Sequence, residues 1–301
     1  MKNLIILFAF GFIPQLSAQN INYEIIKNEP REPKISVNLD IFNLDMNSGI
    51  KNIRIDNISM NLGAFGYVKI VDQLEIDFNI HKSWLAAGRL GYKLYPGNLE
   101  INTGVNFLLT NRTRVKSTKV ILDEKVTETY SKKTTTTTYL MVPTNQQKRF
   151  GVRGGLYQKS GPFNLDDYSD GASFPRRETK ISSVGLYVGL LSKTINNIII
   201  KDDKYGLSYN SIGINVYFDA LIIPVNRFKD LNQENEVISD LVHDYEKTFP
   251  IGFRLGVRKY QIEKKEFTGK KFGKNFNFEI GYKPYQGAFV NAGIGITLVK
   301  Q

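Results

Sequence analysis

With two histidines and no cysteine, this 301-residue chain has few ways to build a nucleophile and its base. A thiolate nucleophile, a thiolate metal site and a disulfide are all excluded. What remains is His81-Lys82-Ser83, with Asp77 four residues earlier. On a strand these three side chains project to one face, so Asp77 would orient His81 and His81 would face Ser83. The competing reading is a histidine satisfied inside a polar hydrogen-bond network, with no reaction attached. Asp166-Asp167-Tyr168-Ser169-Asp170-Gly171 has the look of a calcium loop, but Tyr168 stands where an oxygen ligand belongs and Arg177 where the closing Glu belongs. It reads as an acidic turn. No Walker loop, dinucleotide fingerprint or zinc signature occurs. No catalytic residue, metal or cofactor is therefore expected, and the chain reads as non-enzymatic.

The elements that must hold these residues are strands. In the last stretch, Ala288, Val290, Ala292, Ile294, Ile296 and Leu298 alternate with Phe289, Asn291, Gly293, Gly295, Thr297 and Val299. That period of two suits a spanning strand with lipid on one face and a packed or wet lumen on the other. An open sheet would leave its edge groups unsatisfied in hydrocarbon, so repeated strands of this kind imply closure. The pattern recurs at Ile58 to Ile70, and again from Leu74 to His81, where Ile76, Phe78 and Ile80 oppose Glu75, Asp77 and Asn79. A further strand is read from Trp84 to Tyr95, turning at Pro96-Gly97-Asn98 into Leu99 to Leu109. Others follow at 150–158, 184–194, 207–222, 249–260 and 275–283. The expected fold is all-β: a closed antiparallel transmembrane barrel of roughly ten strands, eight to twelve being possible, with both ends of the chain on the same side. Residues 19–56 read as an extension, a plug or an extra strand, because Ile35, Val37, Leu39 and Ile41 alternate too. Glycines on the inner face, among them Gly213, Gly256 and Gly281, relieve crowding in a narrow barrel.

Residues 1–18 have the order of a signal peptide: Lys2, an apolar run from Leu4 to Ile13, then Leu16-Ser17-Ala18. The run is too short for a transmembrane helix. The barrel proper is read as 57–301. Near its end, Gly293, Ile296 and Leu298 match the glycine and hydrophobic spacing of the terminal signal that barrel-assembly machinery recognises, although Ala292 replaces a polar residue and the chain ends in Lys300-Gln301 rather than an aromatic. In these features the sequence resembles the broad class of small outer-membrane β-barrel proteins of Gram-negative envelopes. The resemblance implies outer-membrane location, contact with its lipids and handling by the assembly machinery. His81-x-Ser83 is also similar to the catalytic pair of outer-membrane lipid A deacylases, but Trp84 follows where those enzymes carry Asn, and His81 lies on the lumenal face.

Charge locates candidate contacts. The net charge is +11, one unit of it from Lys2. The longest insertion, 110–149, is read as an extracellular loop on the side opposite the termini, with 116–122 and 134–141 pairing as a hairpin because threonine favours extended backbone. Arg112, Arg114, Lys116 and Lys119, with Lys132 and Lys133, are its candidate contacts for lipid phosphates or a partner protein. Nucleic acid is not expected of a secreted barrel. Residues 232–247 carry Val237, Ile238, Leu241, Val242 and Tyr245 at helical spacing, which reads as a short helix on the terminus side. Arg254 and Arg258 would either favour anions in a pore or pair with Glu279 and plug it. The functional expectation is a binding, scaffold or accessory subunit of an envelope complex. The alternatives are a narrow channel or substrate-specific porin, and a lipid esterase.

Overall fold

The computed structural model describes residues 21–30, 32–48, 57–87, 98–129, 132–165, 177–230, 250–264 and 272–300. The signal-peptide stretch, the acidic turn at 166–171 and the helical pattern at 232–247 lie outside the described residues. Among those described, eleven strands form one antiparallel sheet: β1 (Tyr23–Lys27), β2 (Ile35–Asn47), β3 (Asn57–Val71), β4 (Leu74–Ala87), β5 (Leu99–Thr129), β6 (Lys132–Leu165), β7 (Arg177–Asp202), β8 (Gly206–Asp230), β9 (Ile251–Lys264), β10 (Phe272–Lys283) and β11 (Gly287–Lys300). Strands β2 to β11 pair in chain order, and β11 pairs back on β2 from Ile35↔Lys300 to Asn47↔Phe289. The ring is closed, so within it no strand has a free edge.

Alternation sorts the side chains as the period-two pattern predicts. On β4, Glu75, Asp77, Asn79, His81 and Ser83 are buried, while Ile76, Ile80 and Trp84 are exposed on the outer wall. Outward apolar residues recur around the ring, including Leu62 on β3, Leu156 on β6, Leu186 on β7, Phe253 on β9 and Ile294, at 58 % exposure, on β11. The molecule is thus apolar outside and polar inside, the reverse of a soluble domain.

Three sequence expectations need correction. Trp84 does not begin a strand, because β4 runs unbroken from Leu74 to Ala87 and shifts register between its Leu85 and Ser83 pairings. Of the alternatives offered for residues 19–56, the extra strand is the one observed for Ile35–Asn47, a full member of the ring with Ile41 and Phe42 both outward at a bulge. These two changes fix the direction of β5. It descends toward the end where β2 begins and β11 finishes, so the 110–149 insertion lies on the terminus side, not opposite it. By the same count, the connection from β8 to β9, which contains 232–247, leaves the far end of the barrel.

Two inward glycines show how the ring stays narrow. A Cβ on Gly63 would fall 2.0 Å from His81 Cδ2, and one on Gly256 would fall 2.2 Å from Tyr217 Cζ. Aromatic rings from neighbouring strands occupy the space a side chain would take at these positions.

Candidate functional site

The lumen is filled by ion pairs in three tiers. At the far end, Lys159 Nζ donates to Asp45 at 2.9 Å and Lys283 Nζ to Glu100 at 2.8 Å, with Lys283 4.2 Å above the Phe289 ring. In the middle, Arg153 donates to Asp77 at 3.0 Å, and Arg254 grips Asp219 through Nε and Nη2 at 3.0 and 2.7 Å. Arg258 reaches Glu279 at 3.2 Å, Tyr217 donates to the same carboxylate, and Arg254 stands 3.8 Å from it. The guanidinium of Arg153 lies 4.3 Å from the Tyr217 ring centre and that of Arg258 4.9 Å from Phe65. The structure therefore brings Arg254, Arg258 and Glu279 together as a paired cluster. Such charges, buried and matched, do not present an anion-selective surface.

At the terminus end the plug comes from outside the ring. Glu32, between β1 and β2, is buried and receives Lys193 Nζ at 2.5 Å and a bond from Arg149. Lys193 also donates to Glu75 at 2.7 Å. Arg149 further donates to the Asp72 carbonyl in the β3–β4 turn. Burial works against ionisation of Glu32, but Lys193 and Arg149 outweigh it and hold the carboxyl at about 2. Sequence reading missed Glu32, because its partners lie more than a hundred residues away and no local pattern marks it.

His81 is buried too. Its Nε2 lies 3.1 Å from Asp40 Oδ2, not against Asp77, which belongs to Arg153 and Tyr187. Asp40 also accepts from Asn277. Ser83 Oγ accepts the Asn98 N–H at 2.7 Å. The triplet on β4 is thus tied into lumenal hydrogen bonds and is shielded from the outer wall.

Below the ring the hairpin continues. The β5–β6 ladder runs past the last β4 pair, Leu74↔Phe107, through Thr110↔Phe150 to Thr129↔Lys132. From Thr110 to Thr129 that is roughly 65 Å of strand at ~3.3 Å per residue. Its middle is anchored by an apolar core of Val120, Leu122 and Val142 with Ile198 and Ile200 of β7, flanked by Ile21, Leu140 and Tyr205. Strand β1 pairs with β7 from Tyr23↔Asp202 to Lys27↔Ile199, and Asn28 then bonds Asn145 through its side chain and its carbonyl. Arg112, Arg114, Lys116 and Lys119 are exposed on β5 just beyond the ring. Arg114 donates to Gln146 Oε1 at 3.1 Å, Lys119 lies 4.1 Å over the Tyr139 ring, and Lys133 pairs with Glu128 at 3.1 Å. Lys132 faces Thr129 in the last described pair of the ladder.

Ten strands closed in a ring, apolar without and ion-paired within, define an internally packed antiparallel β-barrel carrying an ordered β extension. No family model matches the chain, and no curated protein matches it. Among solved structures it is similar to OmpT, an outer membrane protein of Vibrio cholerae, at 10% identity over 91% of this chain and 99% of that one, with a TM-score of 0.17. It is likewise similar to a loop-deletion mutant of OmpT, at 10% identity over 93% and 99%, with a TM-score of 0.16. At these scores the likeness supplies no residue-by-residue correspondence.

Proposed function

We propose that this chain is an outer-membrane anchor which holds a rigid β extension in the periplasm as a binding surface, acting as a non-enzymatic scaffold or accessory subunit of an envelope complex. The observation that carries this reading is the β5–β6 ladder, which continues in register to Thr129↔Lys132 beneath a barrel whose lumen is occupied by matched charges. Membrane insertion is supported by the closed ring and its apolar outer wall, since hydrocarbon accepts only backbones with every polar group paired. The lengths of the connections support the orientation. On the terminus side, the β3–β4 turn is Asp72-Gln73 and the β7–β8 turn is Asp203-Lys204-Tyr205, whereas most far-side connections are longer. Short turns face the periplasm in bacterial barrels. A pore is the weaker reading because Arg153, Arg254 and Arg258 cross the lumen with their carboxylates, and an esterase because His81 and Ser83 lack access to lipid.

Affinity purification after mild detergent extraction tests the proposal, comparing the full chain with a variant whose 112–147 segment is replaced by a tight turn. A partner recovered with the full chain and lost with the shortened one is the expected result. Recovery of the lone protein in both cases would count against it.

A further inference from the structure

We propose that residues 111–117 of β5 form a docking edge for an acidic extended segment of a partner protein, which adds to the hairpin as a further strand. This inference rests on the scaffold reading and names the chemistry of its partner. Leu108 N–H still donates to the Gln73 carbonyl at 2.7 Å, but from Leu109 to Thr118 no described strand pairs with β5 on the β4 side. Every residue from Leu109 to Ser117 is exposed. The direction of the backbone groups is fixed by two contacts. Lys119 O points out of the ladder to Asn210 Nδ2 at 2.7 Å, and Asn145, opposite Val115, sends its N–H away from β5 to Asn28. In an antiparallel pair such outward residues alternate with those bonded to the partner strand, so Asn111, Thr113, Val115 and Ser117 present N–H and C=O to open space. Asn210 closes the edge at Lys119. What is left matches a strand of about seven residues.

Charge selects the occupant. Arg112, Arg114 and Lys116 stand on one face of this edge roughly 7 Å apart, the repeat of alternate strand residues. No acidic residue occurs on β5 between Glu100 and Asp123, and none occurs anywhere on β6. Among the described residues no carboxylate pairs with these three cations. An incoming strand with Asp or Glu at alternate positions would place each beside one cation, with small or apolar residues opposite Thr113, Val115 and Ser117. A second copy of this chain is disfavoured, because antiparallel pairing of two such edges sets like charges against each other.

The test uses the full-length protein in detergent and a fluorescein-labelled peptide of alternating Glu and Val, with alternating Ser–Val and Lys–Val peptides as controls. Binding of the Glu–Val peptide at least tenfold tighter than the Ser–Val peptide, weakening with added salt, is expected. R112E/K116E should lose that preference and favour the Lys–Val peptide. V115P removes one outward N–H without touching the β5–β6 ladder, and should abolish binding while the barrel remains heat-modifiable on gels. Equal affinity for Glu–Val and Ser–Val peptides, no binding of either, or indifference to both variants would overturn the proposal. So would protection of the 111–117 edge by vesicles of anionic phospholipid but not by peptide, which would assign these cations to a lipid surface. A partner recovered through the hairpin in the absence of acidic-peptide binding sinks this inference and leaves the scaffold reading standing; peptide binding with no partner recovered does the opposite.

Discussion

Gly256 and Glu32 set the terms for single residues in this barrel. The Tyr217 ring covers Gly256 and bonds Glu279, which also holds Arg258, so anything that lifts the ring disturbs a buried ion pair. Gly256→Ala should cost about 1–3 kcal/mol through overpacking, read as a lower temperature for loss of the compact gel form. Glu32 acts through protonation. Its carboxyl is held at about 2 against an ordinary 4.5, so its stabilisation is complete above pH 4.5 and drains away as pH falls from there through 2. The N-terminal segment should accordingly become protease-sensitive in acid before the barrel opens. Glu32→Gln should release it at neutral pH, at about 3–5 kcal/mol for breaking a buried pair. A segment equally protected at pH 3 and pH 7 would refute this. Neither role was legible in the sequence. Glycine on the inner face was, but the ring that covers each one comes from another strand. The Asp40 partner of His81 sits on β2, two strands from β4, and His81 reaches it across Gly63, which stands between them in the same register row.

At the scale of elements, legibility followed periodicity and failed where the period slipped. Leu74 to His81 alternates without interruption and was read correctly. The bulge at Ile41–Phe42 reverses the phase of β2 halfway along, and the register shift near Trp84 does the same to β4, so one strand looked doubtful and another looked like two. Since direction accumulates along the chain, those local slips moved the hairpin to the wrong side. That these segments form a hairpin was legible, but its register was not: Lys119–Ile121 meets Tyr139–Met141, whereas Thr134–Thr138 pairs with Asp123–Thr127 and Lys116 with Thr144. What holds the hairpin upright is the cluster on Ile198 and Ile200. Ile198→Ala should cost about 2–5 kcal/mol locally. The effect should appear as faster cleavage within 112–147 with unchanged heat-modifiability of the barrel; equal cleavage of variant and parent would show that the extension does not depend on this core.

For the whole molecule, the balance of charge inside the ring decides transport. Cation and carboxylate are matched tier by tier, so little or no steady conductance is expected in planar bilayers, and large, stable single-channel steps would move a pore to first place. The ring also has a seam. Where β11 meets β2, Asn43 and Asn291 exchange two amide bonds of 2.9 Å, Asn61 adds a third at 3.0 Å to Asn43, and Thr297 donates to Asn38 at 2.6 Å. The residues joined there stand almost the full length of the barrel sequence apart. A nascent chain therefore carries β2 as an unmatched border until its last strand arrives, and sliding β11 by two residues would set Gly293 or Phe289 where Asn291 belongs. The paired amides work as a proofreading mark: the ring can lock only once β11 has been made and only in one alignment.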